Sequence, residues 1–252
     1  MRVIACANSR GGCGKTSVSV NLAAALGERD YTVLVIDLDP SASATAWFGV
    51  QDEDNVFYEA LTGNRSFQAQ AVNTGVRGVD LVPASEYLAV AEKHLVGEVG
   101  SELILKRLIS KLPDRWQFVL LDFPPHLGLL SINGLVAAGE VLVPALAHTM
   151  SLHGIPRILS TMETVQERLN PDLRLLGILA VRVDGRTRHS SDVLEALRKT
   201  YKKAVFKTQI RESVRVSESV LHCQPVTSYD PRGRAAEDFN QLAQEVVRRN
   251  PK

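Results

Sequence analysis

Three short stretches carry the residues whose types and spacing could do chemistry. The first, Arg10-Gly11-Gly12-Cys13-Gly14-Lys15-Thr16-Ser17, follows the apolar run Val3-Ile4-Ala5-Cys6-Ala7 and precedes the helix-like run 18–26. A glycine loop between a strand and a helix is the setting in which backbone N–H groups close on phosphate oxygens. Glycine permits that approach because it lacks a Cβ. Lys15 is expected to reach the β- and γ-phosphates of a bound nucleotide, and the Thr16 hydroxyl to ligate Mg²⁺. The second stretch, Asp37-Leu38-Asp39-Pro40, follows Val33-Leu34-Val35-Ile36. The third, Asp122-Phe123-Pro124-Pro125, follows Phe118-Val119-Leu120-Leu121. A carboxylate ending an apolar strand near a phosphate loop suits a Mg²⁺ site, here Asp122 acting through water. The plain alternatives are a glycine-rich turn, a helix-capping Asp-Pro turn and a strand-ending turn.

The elements that must position these residues are readable from the apolar pattern. Short continuous runs recur between helix-like segments: 33–36, 79–83, 118–121, 141–144, 175–181 and 204–206. Such runs predict a mostly parallel, twisted α/β sheet with helices on both faces. Functional residues of such a sheet belong at the carboxyl ends of its strands, which is where the glycine loop, Asp37 and Asp122 fall. Residues 73–78 and 184–191 read as loops or turns. No repeat, low-complexity segment or linker divides the chain, so residues 1–252 are expected to form one domain. With the glycine loop so near the start, no separate helix-turn-helix domain is expected.

Composition narrows the classes. Hydrophobic residues make up 45% and charged residues 23%, as in an ordinary globular protein, and the net charge is +1. Three cysteines (Cys6, Cys13, Cys223) form no Cys-x-x-Cys pair, against a disulfide framework, a zinc ribbon or an iron–sulfur carrier. They fit a reducing cytoplasm. Cys13 reads as a small residue filling a variable slot, with alkylation sensitivity as the alternative. No leader and no apolar run of about twenty residues is visible. Trp47, Trp116 and the histidines show no ligand spacing and are expected to be structural.

The combination of motifs resembles the deviant Walker A ATPases of the ParA/MinD class, closest to small Soj-type ParA partition proteins, over residues 2–247. In that class a lysine precedes the Gly-Gly pair and, across an ATP-sandwich dimer, touches the partner's nucleotide; here the position is Arg10, which could serve as an arginine finger in trans. The resemblance implies that Asp39 orients the attacking water and that Asp37 supports the Mg²⁺–phosphate centre. Ser41 stands where the family has Gln, and Leu127 with Asn133-Gly134-Leu135 keeps most of the family's segment after Asp122. It further implies a P-loop fold, slow partner-stimulated ATP hydrolysis, an ATP-dependent homodimer and a ParB-like activator. Arg186 and Arg215 match arginines that bind DNA without sequence preference in the Soj subgroup. Independently, residues 182–215 hold ten Lys/Arg against four Asp/Glu, a net +6 that leaves −5 elsewhere. Lys199, Lys202 and Lys203 are expected to share one helix surface within this basic segment, facing double-stranded DNA from the nucleoid. The alternative is a solvated helix face.

The C-terminal apolar positions Ala236, Phe239, Leu242, Ala243, Val246 and Val247 have helical spacing, followed by a basic tail expected to fray. A MinD-like membrane helix would be more apolar, so no stable membrane association is expected. Positioning of a non-DNA cargo and MinD-like regulation remain the alternative functions. The stretch 144–154 and Arg157 resemble the family's segment after the corresponding strand, with no role assigned.

Overall fold

A computed structural model describes residues 1–52, 54–63, 71–148 and 154–249. Seven strands form one sheet in the order β3-β4-β2-β5-β1-β6-β7. These are β1 (Arg2–Cys6), β2 (Val33–Asp37), β3 (Val72–Asn73), β4 (Val79–Val82), β5 (Phe118–Asp122), β6 (Glu140–Leu146) and β7 (Arg174–Val181). All neighbours pair in parallel except the two-residue edge strand β3, which runs antiparallel to β4. The expected α/β class and its mostly parallel sheet are therefore present.

The continuous apolar runs are explained by burial on both faces. Along β1, Ile4 and Cys6 face one core while Ala5 and Ala7 face the other. Along β2, Val33 and Val35 alternate in the same way with Leu34 and Ile36. One face is covered by α1 (Lys15–Gly27), α10 (Val226–Tyr229) and α11 (Arg234–Arg248), whose Val226, Phe239, Leu242 and Val246 are fully buried. The other is covered by α3 (Val56–Leu61), α4 (Tyr87–Leu95), α5 (Ile104–Ser110), α6 (Leu129–Ala137), α7 (Gly154–Arg168) and α8 (Arg188–Tyr201). The short α2 (Ser43–Trp47) and α9 (Val214–Leu221) lie near the carboxyl ends of the strands.

Three local expectations are corrected. Residues 204–206 form no strand; Val205 makes one isolated parallel bridge to Ile178, because a 3₁₀ turn over Lys202–Ala204 leads straight into it. The segment 184–191 is a loop only as far as Thr187, whose side chain accepts a hydrogen bond from Ser190 N (3.3 Å) and so caps α8. Arg249 is not frayed. Its guanidinium lies 4.0 Å from the Phe206 ring centroid and donates to the carbonyls of Leu176 and Val205 and to Glu245. The last three residues of the tail, 250–252, and positions 149–153 of the stretch 144–154 lie outside the described residues. Trp47 and Trp116 are buried and structural, donating through Nε1 to Gln224 O and Asp80 Oδ2, both at 2.9 Å.

Candidate functional site

The site forms where β1, β2 and β5 end side by side. Their register places Cys6 opposite Asp122, and Asp122 opposite Asp37, in a single row. The chain leaves β1 through a loop anchored below by Asn8, whose Nδ2 donates to Pro144 O (2.7 Å) while its Oδ1 accepts from Arg10 N (3.2 Å). Gly12 and Gly14 have positive φ (69° and 86°), and Gly14 is the left-handed residue that starts α1. A Cβ on Gly14 would be strained and would lie 3.4 Å from Val181 Cγ2. The helix thus begins at Lys15 with its free N–H groups turned to the loop.

Lys15 is buried, and its ammonium donates to the Arg10 carbonyl at 3.2 Å, across the mouth of the loop. Cys13 is buried and donates to the same carbonyl (3.1 Å), and burial raises its thiol pKa. Arg10 is half-buried at the rim. Gly11 approaches the third stretch: a Cβ there would touch Pro125 at 3.6 Å.

Asp122 is fully buried. The Ser19 hydroxyl lies 2.9 Å from its Oδ1 and 3.1 Å from Lys15 O, shared between them, while Asp122 Oδ2 is buried with no hydrogen-bond partner. Burial raises the Asp122 pKa, and the neighbouring Asp37 raises it further, against the lowering effects of Thr16, Ser19 and Lys15. An orphaned carboxylate oxygen beside a threonine hydroxyl fits a hydrated Mg²⁺, which would supply the missing positive charge.

Asp37 is also fully buried but fully engaged. Its Oδ2 accepts from Thr45 N (2.9 Å) and Thr45 Oγ1 (2.8 Å), and its Oδ1 accepts from Asp39 N (3.0 Å). Thr45 Oγ1 in turn accepts from Ala84 N (2.9 Å), beyond β4. Burial raises the Asp37 pKa despite those bonds. Asp37 therefore anchors α2 through Thr45 and fixes the backbone of Asp39, while the N-cap of α2 is Ala42, with no side-chain cap bond. Asp39 is half-buried, and its carboxylate accepts only from Ser41 N (2.9 Å) among the hydrogen bonds resolved, which leaves an oxygen able to hold a water.

Sequence reasoning missed a cleft of about 310 Å³ that opens beside Gly14 and Ser17. Its walls include Val18, Trp47, Val181, Ile210 and Val216, with Arg182 and Glu212 at the rim joined by a bidentate ion pair (2.7 and 3.1 Å). The only signal for it was the end of the apolar run at Val181; the segment 210–213 is brought in by the fold.

The basic residues are exposed but not on one helix. Lys199 is in the last turn of α8, which ends at Tyr201; Lys202 turns the chain with φ 48°, and Lys202 and Lys203 belong to the 3₁₀ turn. Arg186 and Asp184 form a bidentate pair (2.9 and 3.0 Å), which holds the Asp184 carboxyl down at about 2. Arg215 on α9 pairs with Glu218 (2.8 Å) and stands 3.9 Å from Asp230. No group of three or more metal-ligating side chains occurs among the described residues, and no helix there is long and apolar enough to cross a membrane.

Comparison with known proteins matches residues 1–175 to a family described as "AAA domain". The sporulation initiation inhibitor protein Soj of Bacillus subtilis is 37% identical over 248 residues, covering 98% of each chain. The chromosome partitioning protein ParA of Myxococcus xanthus is 34% identical over 252 residues, covering 99% of this chain and 89% of its own. Among solved structures, one described as cobyrinic acid a,c-diamide synthase from Mycobacterium smegmatis, with bound ADP and magnesium, superposes with a TM-score of 0.86. It is 34% identical, and the match covers 98% of this chain and 94% of that one. The Pyrococcus furiosus cell division ATPase MinD superposes with a TM-score of 0.80 at 25% identity, over 98% of both chains.

Proposed function

This chain belongs to the Soj/ParA family of ATPases, with ATP and Mg²⁺ as its cofactors, and from that premise we propose that it is a partition-type ATPase whose nucleotide state controls its hold on DNA. Residues 10–17 bind the phosphates, with Lys15 on the β- and γ-phosphates and Arg10 reaching the nucleotide of a second copy. Thr16 and Asp122 hold hydrated Mg²⁺, which neutralises phosphate charge during transfer; Asp37 supports that centre chiefly through Asp39 and Thr45. Asp39 orients the attacking water. The cleft along Val181 and Ile210 takes the base and ribose, being a concave surface lined by Gly14 and Ser17 themselves.

One observation carries the nucleotide part of this reading: the unpartnered Asp122 Oδ2, buried beside Thr16 at the foot of the glycine loop. The DNA part rests on the basic segment 182–215 together with the relatives that are named partition proteins. In this reading residues 1–252 act as one ATPase domain, and two copies sandwich two nucleotides and align their basic faces. The dimer binds the nucleoid without sequence preference through Arg186, Arg215, Lys199, Lys202 and Lys203. A ParB-like activator then triggers hydrolysis and release, the protein remaining cytoplasmic and nucleoid-associated. Pairing two weak basic faces on one polymer raises the hold on DNA without any new contact.

The deciding experiment measures binding to random-sequence duplex DNA with ATP, with ADP and without nucleotide, at two salt concentrations, while molar mass is followed. ATP-dependent dimerisation with salt-sensitive DNA binding is the expected outcome. ATP binding without either would overturn the DNA role and direct attention to a non-DNA cargo or a MinD-like membrane role. Arg215→Glu separates the steps: it should dimerise and lose DNA.

A further inference from the structure

Beyond Arg186, two open hollows continue along the edge of the sheet beside β7, between the end of α8 and the outer face of α11. The first is bordered by Arg198, Lys207, Arg211 and Gln241, and the second by Lys203, Lys207, Gln241 and Arg248. They share Lys207, Thr208 and Gln241, so they form one groove. A third hollow with Arg186 at its mouth meets this groove at Arg211.

The charges in the groove are not balanced. Its carboxylates are consumed internally. Glu245 accepts from Lys207 N, Thr208 N, Thr208 Oγ1 and Arg249, and Asp238 accepts from Arg211 N and the Arg211 guanidinium. Glu237 also meets Arg211, at 3.2 Å. The Arg198, Lys203, Lys207 and Arg248 side chains are exposed, and none has an ion pair among the described residues. Arg186 and Arg215, by contrast, are each neutralised by a neighbouring carboxylate. Four cations without an ion pair among the described residues therefore lie along the groove, while Arg188, Lys199 and Lys202 are exposed outside its lining.

We propose that Arg198, Lys203, Lys207 and Arg248 form a strip that tracks the phosphate backbone of duplex DNA, extending the DNA face past Arg186 along the sheet edge. The inference rests on the DNA-binding reading above. Exposed flexible cations, ammonium groups as point charges and guanidinium groups as planar forks, suit phosphates, which position a protein on DNA without reading sequence. The groove offers no ring for stacking, since Phe206 is covered by Arg249, so bases are not its target. Its apolar lining is limited to Leu175, Leu176 and Leu194, too little to anchor a peptide.

The test uses the full chain with ATP and Mg²⁺, and reads the slope of log K against log salt for a random-sequence duplex. Each phosphate contact contributes about 0.9 to that slope. Replacing Lys203, Lys207 and Arg248 together by alanine should lower the slope by about 2 to 3 per protomer. Replacing Lys93, Lys106 and Arg168 by alanine removes the same charge outside the groove and should leave the slope unchanged. Circular dichroism and the unfolding midpoint verify that both variants fold. Equal losses in the two triple variants would overturn the strip in favour of net charge alone. An unchanged slope in the groove variant would overturn the strip and leave the DNA reading standing. If that variant instead lost binding to polyglutamate, the groove would be a site for an acidic polypeptide, and the proposal would again fall. Absence of DNA binding by the unaltered chain would overturn both readings.

Discussion

Asp37 and Asp122 stand opposite each other at the ends of two neighbouring parallel strands, both fully buried, yet only one of them has an unmet oxygen. The difference separates their tasks. Asp37 spends its lone pairs on Thr45 and the backbone of Asp39, whereas Asp122 keeps Oδ2 bare beside the glycine loop.

Asp122→Asn should stabilise the nucleotide-free protein while destroying its response to MgATP. Folding raises the Asp122 pKa through burial and the Asp37 charge, so the ionised group destabilises the apoprotein, and stability falls as pH rises from the unfolded value towards the folded one. Removing the charge should be worth ~1 kcal/mol or more, a rise of a few degrees in unfolding midpoint. Scanning calorimetry with and without MgATP checks both effects; a lower apo midpoint would contradict the assignment.

Lys15→Ala should weaken ATP binding by about 100-fold or more, the worth of one to two hydrogen bonds to charged phosphate. Equilibrium titration with a fluorescent ATP analogue measures this.

Asp39→Ala should leave ATP affinity nearly intact and lower single-turnover hydrolysis by about 10²-fold or more, the cost of misplacing a reactant by about 1 Å. Its carboxylate accepts only from Ser41 N among the resolved bonds, so the fold should lose no more than about 1 kcal/mol. Phosphate release against ATP binding separates the two.

Thr45→Val tests the link from the sheet to Asp39. Losing the hydroxyl strands Ala84 N–H and one Asp37 lone pair, at a cost of about 1–3 kcal/mol. Turnover should fall with it while ATP affinity changes less, since Asp39 loses its reference point. Equal turnover in the variant would show that Asp39 is placed by other contacts.

Glu245→Gln should destabilise the protein at neutral pH and become neutral in acid. Burial alone would raise the Glu245 pKa, but the bonds from Lys207 N, Thr208 and Arg249 outweigh it and hold the pKa below 4.5. The carboxylate's contribution is therefore fully present above pH 4.5 and is lost as pH falls through the depressed folded value. Urea unfolding of both proteins from pH 7 downwards should show the gap closing.

Most of the sheet was legible because strands buried on both faces must be apolar throughout, and Asp37 and Asp122 were visible as charges ending such runs. What failed to show was decided by contacts distant in sequence. The walls of the cleft join Gly14 to Val181 and Ile210. Arg249 looked like a tail because the Phe206 face that receives it is invisible in composition. Lys199, Lys202 and Lys203 have helical spacing, but Lys202 adopts a left-handed φ that ends the helix between them. The second employment of Asp37 depended on Thr45 folding back from eight residues on.

The grip of Arg2 on Glu140 and on the carbonyls of Val246 and Arg249 has a consequence for synthesis. The strand that launches the glycine loop emerges first, yet its two neighbours in the sheet and the helix turn that Arg2 clasps are made later, the last of them at residue 249. A nascent chain stalled before α11 emerges would already hold all seven strands and residues 10–17, yet β1 would lack the helix turn that Arg2 clasps, and one face of the sheet would lack the cover of Phe239, Leu242 and Val246.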